Sequence, residues 1–443
     1  MASDDLSVIG AASADVAGTR LALSRARERV SDRQRQSDAA RAVIDRIAAM
    51  IDPAVPLDYQ HDVKFLWHRE NLEAVLQGKP FSARPITMEI DPALDCNFGC
   101  PHCTYGQWER RTRGLKDARQ MSRQEMEVIL HRVADGGVRG LIFTGGGEPF
   151  VNPHTPFGIG TAQRLGIRTG IFTNGSLLTP QIISQILAAD PEFLRVSVNA
   201  VSAGVYGAFH GLHNADLAEH VWSNVRCIAG TIGQARTSFG LGVVVKRVNS
   251  GDILNVIRKA LDIIEAGGRI DYVGVRPVVN YWGQKQISPE ILSRVREAHE
   301  IGQRMAEGSG LKLFFAMDYF EKVAAASGRA PVTVSGHCVG HSWLASIAYT
   351  GDVYLCSEGK GSPQNRLGNL LEQTLDEIWE SVLRQQVIGG TCAVPAVCKA
   401  RRITEQVTQL MDIGPLKPEE LPIVNDFLAE IRSAGSPGAP DFL

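Results

Sequence analysis

Six short runs rich in β-branched residues, each followed by an amphipathic helix pattern, constrain this chain more than any other feature. They are ITMEI (86–90), GLIFT (140–144), RTGIFT (168–173), LRVSV (194–198), GLGVVVK (240–246) and DYVGVRP (271–277). The helix signals between them have proper ends. Ser122 and Glu125 form a capping box ahead of an apolar helix that stops at Gly136-Gly137, and Thr179-Pro180 reads as an N-cap followed by proline. Residues 252–266 place Ile253, Val256, Ile257, Leu261 and Ile264 on one stripe. A strand, a helix and a return to the next parallel strand, repeated six times, predicts an α/β chain built on a partial (β/α)6 TIM-like barrel. Its chemistry belongs at the C-terminal strand ends.

The flanks have a different texture. Residues 1–84 read as a disordered start (1–18) and a helical N-terminal extension with Val43, Ile44, Ile47 and Met50 at helical spacing. The barrel core is expected over 85–310, ending in a long helix near 289–308. A small C-terminal auxiliary domain follows over 311–402, and a helical tail over 403–443. Inside the auxiliary segment, SWLASIAYTGDVYLC predicts a hairpin turning at Thr350-Gly351-Asp352, and TLDEIWESVLRQQ a helix.

The formal net charge is −2, which leaves no basic field for nucleic acid, and the apolar runs are too short for a membrane span. The start of the chain lacks a basic-then-apolar secretory pattern, so a cytoplasmic, reducing setting is expected. There, clustered cysteines mean metal or catalysis.

Of eight cysteines, three fall in DCNFGCPHC: Cys96, Cys100 and Cys103, directly after the first strand. Structural zinc takes four protein ligands and no further cysteine lies nearby, while His102 sits too close to Cys103 for easy tetrahedral closure. A three-thiolate loop fits a [4Fe–4S] cube with one iron left open; buried thiols or a distorted zinc loop are the alternatives. A second set, Cys338, Cys356, Cys392 and Cys398, has enough thiolates to close a cluster or a zinc site completely. His337 and His341 flank it as possible replacement ligands. Cys227 is left over on a helix pattern and reads as a core thiol, with hydrogen-atom donation the sharper alternative.

With CNFGCPHC, GGGEP (145–149), FTNG (172–175) and RVSVNA (195–200) in this order, residues 85–280 resemble the radical S-adenosylmethionine (SAM) enzymes. The resemblance implies a [4Fe–4S] cluster on Cys96, Cys100 and Cys103, whose open iron is chelated by SAM. Electron transfer then cleaves SAM to a 5′-deoxyadenosyl radical. It also implies that Gly145, Gly146, Gly147 and Glu148 clamp the methionine amino group and that Thr173, Asn174, Ser197 and Asn199 lie near SAM. Lys246 and Arg276, cations at the ends of the fifth and sixth strands, are candidates for contact with its carboxylate or the substrate, with ordinary surface charge as the alternative. His102 departs from the family, which usually has a shielding aromatic ring there. The C-terminal cysteines resemble the SPASM and shorter Twitch domains, implying one auxiliary [4Fe–4S] cluster. A flavodoxin- or ferredoxin-type electron donor follows from the same resemblance.

In architecture the chain is similar to aminoglycoside-pathway radical SAM dehydrogenases and diol dehydratases. That implies a small hydroxylated substrate of aminoglycoside, aminocyclitol or sugar type, with oxidoreductase or lyase chemistry in antibiotic biosynthesis. A ribosomal-peptide maturase is the alternative, set back because residues 19–80 show no strand pair for a peptide-binding winged helix. A non-catalytic iron–sulfur scaffold or sensor is the second alternative. Candidates for substrate contact are Glu89, Asp91, Tyr105, His210, Asn280 and Tyr281, with Glu89, Tyr105 and His210 as the catalytic candidates for proton removal.

Overall fold

Parallel strands covered on both faces need apolar side chains in both directions, and the runs above meet that demand. The computed structural model describes residues 13–34, 37–54, 57, 61–103, 120–212, 214, 216–278, 287–326, 332–335, 338–357, 359–389, 391–394, 400–435 and 441. Six strands pair in parallel in sequence order: β1 (Thr87–Ile90), β2 (Gly140–Phe143), β3 (Arg168–Thr173), β4 (Phe193–Ser197), β5 (Ser238–Val245) and β6 (Tyr272–Pro277). All six expected strands are present. A seventh, β7 (Lys312–Phe315), adds in parallel to β6.

The auxiliary segment does not stand apart from this sheet. After β8 (Val332–Ser335), β9 (Leu344–Ile347) lies parallel to β1 on its other side. β10 (Asp352–Tyr354) and β11 (Arg366–Asn369) then extend the sheet antiparallel. The result is one ten-stranded sheet in the order β11-β10-β9-β1-β2-β3-β4-β5-β6-β7. β12 (Thr391–Val394) pairs antiparallel with β8 in a separate ribbon. The hairpin at Thr350-Gly351-Asp352 forms as read, with the Ala348 amide donating to the Asp352 carbonyl.

Alternation along each strand separates core from lumen. On β4, Leu194 and Val196 are buried against the helical layer, while Phe193, Arg195 and Ser197 are half-buried on the other face. The same register on β1 and β6 puts Glu89, Tyr272 and Arg276 on that lumen face.

The outer helices keep their caps. Ser122 and Glu125 close a full capping box on Arg123–Asp135, and Thr179 caps Pro180–Ala188. Ile253–Glu265 buries Ile253, Val256, Ile257, Ala260 and Ile263, so the face is rotated slightly from the expected stripe, with Leu261 and Ile264 at its half-buried margin.

Two expectations are corrected. TLDEIWESVLRQQ forms two short helices, Leu375–Trp379 and Val382–Ile388, because Ser381 starts the second one by accepting from the Arg384 amide. The Arg384 guanidinium folds back onto the Trp379 and Phe81 carbonyls, which fixes the break. At the N-terminus, the helix Ser13–Gln34 begins inside the stretch read as disordered and buries Ala22, Leu23 and Ala26. It packs with Asp38–Met50, Arg69–Leu76 and the C-terminal helices Arg401–Met411 and Leu421–Ser433 around a second core that includes Ile44, Phe65, Trp343, Val407 and Phe427. The Ser37 hydroxyl donates to Glu420 at 2.6 Å, tying the two chain ends together. Among the described residues before β1 there is no strand. Among the described residues no helix is long and apolar enough to cross a membrane.

Candidate functional site

The site is built where β1 and β2 leave the sheet. Past Ile90 the chain turns through Asp91 into the cysteine loop, pinned by the Phe98 ring, which is buried in the main core. Cys96, Cys100 and Cys103 are free thiols, each half-buried. Burial first, then the neighbouring Cys103 and Cys96, push the Cys100 thiol up to about 12. A buried thiol whose ionisation is opposed by burial and by two neighbouring cysteines is a donor that needs cationic metal to become a thiolate. Among the described residues no three His, Cys, Asp or Glu side chains crowd together as ligands of a single ion do. A cube, which takes each thiolate on a separate iron, asks for no such crowding. The donor set fits the iron–sulfur group that the sequence implies.

The glycine loop after β2 is laced to this cysteine loop. The Gly147 amide donates to the Ala93 carbonyl (3.2 Å) and the Glu148 amide to the Asp95 carbonyl (2.9 Å). A Cβ on Gly147 would stand 2.0 Å from the Asp95 oxygen and 2.6 Å from the Leu94 oxygen, so only glycine permits the approach. Glu148 is then carried inward to 3% exposure. Its carboxylate accepts from the Thr173 hydroxyl (2.6 Å), the Asn174 amide (2.7 Å) and the Phe150 amide (3.3 Å). Burial raises its carboxyl to about 7 against the pull of those donors. Asn174 also donates through its side chain to Asn97 (2.9 Å), and Asn97 to Ser176 (2.7 Å), so the end of β3 is stitched to the cysteine loop too.

The cations lie at the ends of β5 and β6, beside the cysteine loop. The Lys246 ammonium lies 3.4 Å from His102 Nδ1 and over the Phe209 ring. Burial, then Lys246 and Arg276, push His102 down to about 4, so its neutral ring takes the hydrogen bond. His102 also meets Phe209 edge-on at 4.4 Å. Arg276 is exposed on the lumen side of β6.

The expected site residues therefore divide. Cys96, Cys100, Cys103, Gly145, Gly146, Gly147, Glu148, Thr173 and Asn174 come together at the exits of β1, β2 and β3, and Lys246, from the end of β5, reaches the cysteine loop at His102. Ser197, Arg276 and Glu89 occupy lumen positions. His210 and Asn199 are turned to each other: His210 Nδ1 lies 3.2 Å from Cys100 Sγ, and its Nε2 3.3 Å from Asn199 Nδ2. Both are nearly buried, so the geometry places His210 behind the cysteine loop and not in the lumen. Asp91 is consumed by a buried ion pair: Lys360 Nζ lies 2.7 and 2.8 Å from its two oxygens, with both side chains 2–3% exposed. Tyr105, Asn280, Tyr281, His337 and Cys398 lie outside the described residues. Cys227 is half-buried against the main core, on the helix Asp216–Thr231.

In the auxiliary segment Cys338 lies 4.0 Å from the Thr404 hydroxyl, and Cys356 accepts from the Gly359 amide at 3.1 Å. Cys392 sits on β12 opposite Val334 of β8.

Two residues escaped the sequence reading. Lys360 gave no signal, since its partner is 269 residues away. Arg195 did leave one, as a charge on the lumen register of a parallel strand. Its guanidinium stacks on the Phe172 ring at 3.6 Å and its Nε has no hydrogen-bond partner. Burial lowers its pKa to about 10.

Comparison with known proteins agrees with the geometry. Residues 91–260 match the radical SAM superfamily, and residues 338–400 match the SPASM iron–sulfur cluster-binding domain. The chain is 26% identical to an AdoMet-dependent heme synthase of Methanosarcina barkeri, over 69% of this chain and 88% of the other. It is 24% identical to a PqqA peptide cyclase of Xanthomonas euvesicatoria, over 71% and 79%. The crystal structure of Streptococcus suis SuiB bound to its precursor peptide SuiA superposes with a TM-score of 0.53 at 14% identity, covering 75% of this chain and 71% of that one, a likeness of fold.

Proposed function

We propose that this chain, which carries a radical SAM domain joined to a SPASM domain, abstracts hydrogen from a ribosomally made peptide and so modifies it. The domains bring a [4Fe–4S] cluster with SAM and auxiliary iron–sulfur chemistry. When bound, this equipment supplies reductive cleavage of the sulfonium and a 5′-deoxyadenosyl radical. The observation that carries the reading is the lacing of Gly147 and Glu148 onto the cysteine loop, which places three thiols and one buried carboxylate at adjoining strand ends.

Within that frame Cys96, Cys100 and Cys103 hold the cluster and Glu148 receives the SAM ammonium. Thr173 and the Asn174 amide keep the Glu148 carboxylate aimed. Lys246 and Arg276 provide positive charge for a carboxylate at the mouth, and His102 holds the Lys246 ammonium in place by accepting from it. Cys338, Cys356, Cys392 and Cys398 are assigned to the auxiliary site. Glu89, on the lumen face of β1, is assigned to take a substrate proton; Arg195, on the lumen face of β4, favours an anionic group on the substrate.

A peptide is preferred because peptide cyclases recur among the relatives that span most of both chains, beside one heme synthase. This replaces the small hydroxylated molecule expected from the sequence as the first choice. One observation keeps that second reading open: the described residues before β1 are helical, without the strands of a winged helix. Anaerobically reconstituted protein with SAM and dithionite tests the reading. Precursor peptides deuterated at single residues and deuterated aminocyclitols are offered separately, and deuterium is counted in the 5′-deoxyadenosine. Transfer from a peptide alone supports the proposal, transfer from an aminocyclitol alone replaces it with the second reading, and no SAM cleavage at all removes both.

A further inference from the structure

The ring of His210 has two nitrogens, and its surroundings decide which one carries the proton. The decision starts at Asn199, one of two non-glycine residues with positive φ among the described residues (+51°). Its conformation is held by Asn249, whose side-chain amide donates to the Asn199 carbonyl at 2.8 Å. The Val244 amide donates to Asn199 Oδ1 at 2.7 Å. With the oxygen fixed on a backbone N–H, the amide nitrogen must point the other way, and it does, 3.3 Å from His210 Nε2. An amide nitrogen can only donate, so His210 Nε2 must accept. The proton of the neutral ring is therefore on Nδ1, which faces Cys100 Sγ at 3.2 Å.

The ring cannot turn away from this arrangement. Phe98, Tyr206 and Phe209 enclose it at centroid distances of 4.9, 4.4 and 5.0 Å. Gly211 caps its helix at φ +66°, and a Cβ there would stand 2.5 Å from the Gly99 carbonyl oxygen, so the helix end abuts the cysteine loop between Cys96 and Cys100.

We propose that His210 is a positioning residue that donates an N–H···S hydrogen bond to the Cys100 thiolate, with Asn199 setting its tautomer, and so raises the reduction potential of the cluster on Cys96, Cys100 and Cys103. A donor on a ligating sulfur draws off electron density and favours the reduced cluster, and hydrogen bonds to sulfur are among the factors that set such potentials. The proposal deepens the functional reading above and rests on it.

The test is a mediator-poised EPR titration of reconstituted protein, following the signal that changes when SAM is added. His210→Phe keeps an aromatic ring in the cage and removes the donor. His210→Asn puts an amide N–H where Nδ1 stood. The expected result is that His210→Phe disfavours cluster reduction about tenfold, about 59 mV lower for one electron, while His210→Asn stays at the wild-type potential. A ring that only fills space gives the opposite order, because phenylalanine fills it better than asparagine. An unshifted His210→Phe overturns the proposal. If His210→Phe cannot retain iron, His210→Asn decides alone: a wild-type potential supports the hydrogen bond, and a lowered potential or lost iron overturns it. Wild-type protein without a SAM-sensitive signal would instead count against the functional reading of the three cysteines.

Discussion

Replacing Lys360 by methionine isolates the joint between the auxiliary segment and the barrel. Lys360 belongs to the loop after Cys356 and Asp91 to the end of β1, and their side chains are 2% and 3% exposed. At about 3 Å and an effective dielectric near 20, the gross attraction is roughly 6 kcal/mol. Removing the two ions from water costs several kcal/mol each, so the intact pair contributes little net stability. Lys360→Met leaves a buried carboxylate whose remaining support includes the Gly146 amide. Burial already pushes Asp91 up, and without the ammonium that pulls it back the carboxyl rises further. The expected cost is about 3–5 kcal/mol, and Asp91→Asn alone, which removes the buried counter-charge of the ammonium, should cost about as much. The double variant Asp91→Asn/Lys360→Met should recover to within about 1 kcal/mol of wild type, a coupling that separated sites never show. Urea unfolding of the apoprotein reads all four species without iron. Lys360→Met within 1 kcal/mol of wild type, or a double variant as damaged as the two singles together, would refute the reasoning.

Gly147→Ala drives a Cβ to within 2.0 Å of the Asp95 oxygen, next to Cys96, and should strip the SAM-sensitive iron from reconstituted protein while auxiliary iron remains. Gly204→Ala, with open space around it, should change iron content and stability negligibly; iron assay and EPR check both. Burial raises Glu148 from its ordinary 4.5 to about 7, so the folded state holds that proton over a range where the unfolded chain has lost it. Its contribution is full below about 4.5 and lost as pH rises through about 7, costing ~3 kcal/mol at 1.36 kcal/mol per pH unit. Urea midpoints of the apoprotein should show this decline in wild type and not in Glu148→Gln. Arg195→Met removes a guanidinium whose Nε has no hydrogen-bond partner and keeps contact with Phe172, so the apoprotein should gain ~1 kcal/mol, read by thermal unfolding.

The βα rhythm made the barrel legible because each parallel strand leaves a local signature, a β-branched run bounded by helix caps. Cys96, Cys100, Cys103 and the loop from Gly145 to Glu148 stand out in the sequence for a related reason: each motif is packed into a few consecutive residues, and the structure laces the two loops together. What stayed hidden depends on distant partners. LASI (344–347) reads as half of a hairpin, and nothing local says that its other edge lies on β1. Asp91 reads as a polar strand end until Lys360 meets it. His210 reads as a general base until Asn199 and Cys100, 110 residues away in the latter case, claim both its nitrogens. The start of the N-terminal helix, before Thr19, reads as disordered because its residues are small and polar; the first fully buried apolar side chains among the described residues come at Ala22, Leu23 and Ala26.

Mössbauer spectroscopy of protein reconstituted with iron-57, recorded before and after SAM is added, asks the central question most directly. The expected result is a change at one iron site of one cluster, lost in the Cys96→Ala/Cys100→Ala/Cys103→Ala variant while the auxiliary iron persists. Spectra that SAM leaves untouched, or a SAM response that survives in the triple variant, would contradict the assignment of these three cysteines.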